Sequence, residues 1–234
     1  QVGALSTDQV GALTETQVGA LSATQLGALG TDDVAELSTD AVAAISTKAI
    51  SGLTTDAVAA LSTDQVGALT TGQVAALKTT QVAALTTDQV EALSTDQVGA
   101  LTAAQVGALT TDQIGALSTD QVAAISTKGV AGLTATQLDA MSTDQLEALD
   151  TAQTGALSAT QIATFDDTDI AEFSTDEIAA ISTKAISGLT TTAVAALSTD
   201  QLGALTTGQV AAMKATQIAA LTTDQVEALS TDQI

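Results

Sequence analysis

A period of eight residues fits neither regular secondary structure, and this chain keeps it from Ser6 to Ser230, through 29 octads of which the last is truncated at Ile234. The octad Ser62-Thr63-Asp64-Gln65-Val66-Gly67-Ala68-Leu69 represents the set. Eight residues advance an ideal α-helix by about 2.2 turns, so the Val66 and Leu69 positions would rotate by roughly 80° per repeat and bury no constant face. In a strand, Leu61, Thr63, Gln65 and Gly67 would share one face and Ser62, Asp64, Val66 and Ala68 the other, and neither is apolar. What remains is a helix of about two turns in each octad, followed by a kink and a new helix at a fixed angle. A constant angle generates a superhelix, so the period predicts an all-α solenoid of short helices, one per eight-residue repeat.

Each octad reads as a helix start. Ser62 is an N-cap residue whose hydroxyl can accept from the first turn, and Gln65, three residues on, completes a capping box. Asp64 falls where the helix macrodipole favours negative charge. Leu61 before the cap and Val66 at the fourth helical position form the pair of a hydrophobic staple. The closing position, from Leu5 to Leu229, is always Leu, Ile, Met or Phe, and the fifth is Val, Ile or Leu except at Thr154. These two positions are the expected core.

Phe165 and Phe173 are the only aromatic residues, so close backbone approach has to replace bulky side chains. The seventh position supplies it, being Ala or Gly (Gly52, Gly132, Gly188) except at Glu36, Thr164 and Glu172. The sixth, with acids such as Glu91, Glu147 and Glu227, is expected to face solvent in those octads. Ala41, Ala49, Ala57, Gly129, Ala185 and Ala193 replace the capping-box glutamine, and looser helix starts are expected there.

So short a helix is unstable alone, and stability has to come from stacked neighbours. No proline, charge block or change of composition marks a boundary, and residues 1–234 read as one octapeptide-repeat array. Within it, residues 38–98 and 174–234 align at an offset of 136 and differ at 8 of 61 positions, the mark of a block duplication. Gln1 and Ile234 fall mid-repeat, as in a piece of a longer protein or a unit that stacks end to end.

Against 5 lysines stand 27 acidic residues, a formal net charge of −22. Nucleic acid and anionic membrane surfaces are repelled by such a chain, and divalent cations are the partners it could bind weakly. Charge-free stretches such as 97–111 reach only 15 residues and carry Ser, Thr and Gln, so membrane insertion is not expected. Without His, Cys, Trp, Tyr or Arg there is no histidine base, thiolate or arginine clamp. The serines recur in the capping slot, and Gly67 and its equivalents lack the lysine of a phosphate loop. Asp32-Asp33 and Asp166-Asp167-Thr168-Asp169 could form a catalytic or metal cluster, yet helix N-termini attract acids anyway. The expectation is a protein that is not an enzyme, with no catalytic, cofactor-binding or metal-ligating residue to nominate.

Thr at the second position would array hydroxyls and methyls at regular spacing, a pattern similar to ice-binding faces. Ala23, Ala103, Ala135, Ala159, Ala215, Glu15 and Asp167 interrupt that row. An ice-binding or calcium-binding repeat surface is therefore the alternative to a purely structural array.

The whole chain resembles octapeptide tracts of the form Leu-Thr-Thr-Asp-Gln-Val-Ala-Ala in very large bacterial surface or secreted proteins of the adhesin type. Thr86-Thr87-Asp88-Gln89-Val90-Glu91-Ala92-Leu93 carries the pattern. That resemblance implies an extracellular or cell-surface stalk or self-assembling fibre, with binding modules elsewhere. It transfers no functional residue.

Overall fold

The computed structural model describes residues 2–234. Among them it is all-helical, with α-helices of four to six residues, three 3-10 turns and no strand. Helix starts recur at the Ser/Thr positions. In one octad, Ser62 is extended (φ −69, ψ 161) and its hydroxyl accepts from the Gln65 N–H at 3.1 Å, while the Ser62 N–H donates to Gln65 Oε1 at 2.7 Å. The helix Thr63–Gly67 then closes as the Ala68 N–H bonds to the carbonyls of both Asp64 and Val66, tightening the last turn. Two consecutive extended residues make the kink, as at Leu77 (φ −61, ψ 143) and Lys78 (φ −70, ψ 154). No described residue has positive φ, so the chain turns without a left-handed glycine.

Two compact units form, Gln1–Ile125 and Ser126–Ile234. In the first, the helix Thr87–Glu91 packs on Thr63–Gly67 and Thr111–Ala116, three octads behind and ahead. In the second, Asp167–Glu172 packs on Thr143–Glu147 and Thr191–Ala196 at the same spacing. Hydrogen bonds in both units reach four octads back, from Gln97 to Val66 and from Gln201 to Ile170. A coil of each unit therefore holds between three and four octads.

The fifth and eighth positions are the core, with Val66 at 0% and Leu69 at 5% exposure. Thr154, the one polar residue at the fifth position, is buried and donates its hydroxyl to the Asp150 carbonyl at 2.9 Å. Phe165 and Phe173 meet edge to face, with centroids 5.3 Å apart. Small residues bring the backbones together at the seventh position, where a Cβ on Gly52 or Gly188 would collide with the carbonyl of Ala23 or Ala159. The octads holding these glycines narrow to the 3-10 turns Ile50–Gly52 and Ile186–Gly188. Glu91, Glu147 and Glu227 at the sixth position are exposed. Three glycines at that position lie closer in, since a Cβ on Gly19, Gly99 or Gly155 would stand 3.0 Å from the carbonyl of the seventh residue three octads on, whereas Gly115 and Gly203 meet nothing within 4 Å. No helix among the described residues is long and apolar enough to cross a membrane.

Candidate functional site

The residue that joins one coil to the next is the fourth of the octad, whose glutamine forms a third buried row that sequence reasoning assigned only to capping. Gln97 is 2% exposed, and its Oε1 accepts from the Ser94 N–H at 2.7 Å. Its Nε2 donates to the carbonyls of Val66 at 2.9 Å and Leu69 at 2.6 Å, four octads earlier. Gln73, Gln89 and Gln121 repeat this geometry in the first unit, and Gln201, Gln209 and Gln225 in the second.

The chemistry accounts for the choice. An amide is neutral and carries an acceptor oxygen beside two N–H donors. Its oxygen satisfies an orphan N–H at the start of its own helix, and its nitrogen donates to carbonyls at the end of another, where the Val66 carbonyl already accepts from the Leu69 N–H at 3.1 Å and uses its second lone pair for the amide. Glutamate keeps the acceptor and loses the donors; alanine loses both. We call this arrangement the glutamine clamp.

The clamp is absent in two runs of four consecutive octads, Asp33, Ala41, Ala49, Ala57 and Asp169, Glu177, Ala185, Ala193, and also at Gly129. Since a coil holds three to four octads, each run leaves a whole coil-to-coil junction without glutamine. Helix starts at Ala41, Ala57, Ala193 and Gly129 keep only the hydroxyl half of the box, as where Ala41 N–H donates to Ser38 Oγ at 3.1 Å and Ala57 N–H to Thr54 Oγ1 at 3.1 Å, whereas the carboxylates Asp33, Asp169 and Glu177 still accept from the cap N–H. Lys78 and Lys214 at the cap position show the opposite case, each donating its N–H to the glutamine oxygen at 2.7 Å without returning a side-chain bond.

Of the carboxylates singled out in the sequence, Asp33, Asp166 and Asp169 are engaged in capping, and Asp32 and Asp167 lie in the first turn of their helices. Asp166 is an N-cap whose Oδ1 accepts from the N–H groups of Thr168 at 2.8 Å and Asp169 at 3.0 Å, and Asp169 returns a bond to the Asp166 N–H at 3.1 Å. Asp33 accepts from the Gly30 N–H at 2.9 Å. Partial burial raises the Asp169 carboxyl above its ordinary pKa; the Asp166 N–H opposes the rise, while the charges of Asp166, Asp139 and Asp167 add to it. Glu147 is also raised, by desolvation first and then by Glu172 and Asp144. Among the described residues, no three acidic side chains are placed to hold a metal ion.

Ser62 and Ser94 serve as caps, and Thr63, Thr71 and Thr95 are exposed. The structure does not make the threonines an unbroken row. The methyl groups of Thr47 and Thr183 lie 3.4 and 3.5 Å from where a Cβ on Gly72 or Gly208 would stand, at the third position of the octad three later. Thr71 and Thr95 line one shallow groove with Asp96 and Gly99.

A model of the ALTTAQ repeat family matches residues 39–71, 70–103, 99–127, 118–151, 170–207 and 207–234. No curated protein matches the chain. The matched stretches take in well over half of the sequence, and the chain belongs to the ALTTAQ repeat family.

Proposed function

We propose that this member of the ALTTAQ repeat family is a structural array without catalytic activity, an extracellular stalk or self-assembling fibre of an adhesin-type or biofilm-type surface protein. The observation that carries this reading is the clamp. Its polar machinery is spread over octad after octad and spent on joining coils, and among the described residues no three acidic side chains are placed to hold a metal ion apart from it. The net charge of −22 suits a stalk that resists adhesion to anionic surfaces.

Self-association follows from the same chemistry. Every coil offers the same amide N–H donors and backbone carbonyls, as Gln97 shows in the first unit and Gln225 in the second, so coils of two copies can present matching faces to each other. A heterologous contact of that kind does not close on itself and builds a filament.

Sedimentation velocity over a concentration series, repeated at increasing ionic strength, tests this. Salt screens the acidic surfaces over about 10 Å at 0.1 M, so assembly is expected to grow with both salt and concentration. A chain that stays monomeric throughout refutes the fibre and leaves the single stalk.

A further inference from the structure

In the second unclamped run the slot of the glutamine holds two carboxylates, and Glu177 has the length of the residue it replaces. Glu177 Oε2 accepts from the Ser174 N–H at 2.7 Å and the Glu177 N–H donates to Ser174 Oγ at 3.2 Å, so the capping box is intact. Gln201 reaches the carbonyls of Ile170 and Phe173, 31 and 28 residues earlier, and the same count back from Glu177 falls on Leu146 and Leu149. An ionised carboxylate has no hydrogen to give them. Glu177 and Asp169 are half-buried where Gln201 and Gln209 are buried.

The surroundings carry the same sign. Thr175–Ala180 packs on Thr151–Ala156, capped by Asp150, and on Thr199–Ala204, which holds Asp200. Asp167–Glu172 packs on Thr143–Glu147, with Asp144 and Glu147, and on the uncharged Thr191–Ala196. The charges of Glu172, Asp144 and Glu177 all act on Glu147. Residues 134–181 hold 10 of the 27 acids and no lysine, so the segment supplies no cation of its own to neutralise them.

We propose that the junction between residues 134–149 and 166–181 is a proton-gated clamp. Ionised, Asp169 and Glu177 leave it free to open locally; protonated, the Glu177 carboxyl gives its new O–H to the carbonyl of Leu146 or Leu149, the task that glutamine performs in other coils. Asp169 is one methylene shorter, and its protonation removes charge from the junction without adding that bond. A carboxyl with a raised folded pKa holds its proton more tightly folded than unfolded. The stability contributed by Asp169 is therefore full below its unfolded pKa and is lost as pH rises through the folded one.

The block duplication supplies an internal control, because Ala41 stands in the first copy where Glu177 stands in the second. Hydrogen exchange on the full chain, corrected for intrinsic rates, is followed from about pH 7 to about pH 4, across the carboxylate range. On acidification, residues 142–149 and 174–181 are expected to gain about three- to tenfold protection relative to residues 38–61, the worth of one net hydrogen bond. Glu177→Gln is expected to show that protection at every pH, and Glu177→Ala to keep only the smaller pH response that Asp169 supplies. An equal response in both segments overturns the proposal, as does a differential response of undiminished size in either variant.

Discussion

Replacing Gln97 separates the two jobs of the clamp glutamine within one side chain. Gln97→Ala removes bonds of 2.9 and 2.6 Å to Val66 and Leu69, each worth about 1 kcal/mol net, and also the oxygen that accepts from Ser94. The Ser94 N–H lies at an exposed helix start where water can replace that oxygen, so the sum is about 2–3 kcal/mol. Gln97→Glu keeps the capping oxygen and puts an ionised oxygen in a 2%-exposed slot against two carbonyls, which costs about 3 kcal/mol or more at neutral pH. Ser94→Ala, which removes only the cap, costs about 1 kcal/mol. The order of stability is therefore wild type, Ser94→Ala, Gln97→Ala, Gln97→Glu, with the glutamate variant recovering as pH falls. Repeat arrays need not unfold in two states, so the assay is hydrogen exchange over residues 62–69 and 94–101 beside urea denaturation. If Gln97→Glu at neutral pH matches the wild type, or Gln97→Ala costs no more than Ser94→Ala, the coils are held by apolar packing and the clamp argument fails.

Gly52→Ala and Gly188→Ala are expected to destabilise by about 1–3 kcal/mol or more through collision with the carbonyls of Ala23 and Ala159. Gly203→Ala, which meets nothing within 4 Å, is expected to stabilise by about 0.5–1 kcal/mol, and thermal melts of the three variants compare them directly. Val66→Asp, at 0% exposure, is expected to destabilise by several kcal/mol, on the order of a buried unpaired charge, whereas exposed Thr63→Ala changes little; equal effects in urea denaturation would contradict the assigned faces. Residues 38–61, which accept from Gln73, Gln81 and Gln89 but carry no clamp glutamine of their own, are expected to exchange faster than residues 86–109, and uniform protection would show that stacking alone controls local opening.

The parts of the fold that depend on neighbours in sequence were legible in it. Ser62, Gln65, Leu61 and Val66 lie within one octad, so the cap, the box and the buried pair could be read from residue types and spacing alone. The partner of the Gln97 nitrogen lies 28 and 31 residues away, and that distance is set by the angle accumulated over four kinks, which no single octad states. A signal was nevertheless present. The third helical position favours acids through the macrodipole, and glutamate would complete a capping box as well as glutamine. In a chain with 27 acidic residues the box position holds glutamate only at Glu177, which selects for the amide nitrogen rather than the oxygen. Apolar periodicity hid it, because a buried polar row does not register as core.

Partner choice by count also explains why the array accepts block duplication. The residue that Gln73 seeks is whatever lies 28 or 31 positions earlier, and Val42 and Ile45 serve it as Ile178 and Ile181 serve Gln209, with bonds of 2.8 and 2.7 Å against 3.1 and 2.7 Å. The acceptors are backbone carbonyls, so any side chain that fills the core can stand above them. Inserting whole octads preserves every such pairing, whereas inserting one residue shifts each clamp downstream of it, for up to four octads, onto the wrong carbonyl. What a duplicated block does carry with it is its octads that lack glutamine. Residues 38–98 hold three of them, at Ala41, Ala49 and Ala57, and residues 174–234 hold their copies at Glu177, Ala185 and Ala193, so a single change, Ala41 in one copy and Glu177 in the other, is enough to make the two junctions respond differently to the same solution.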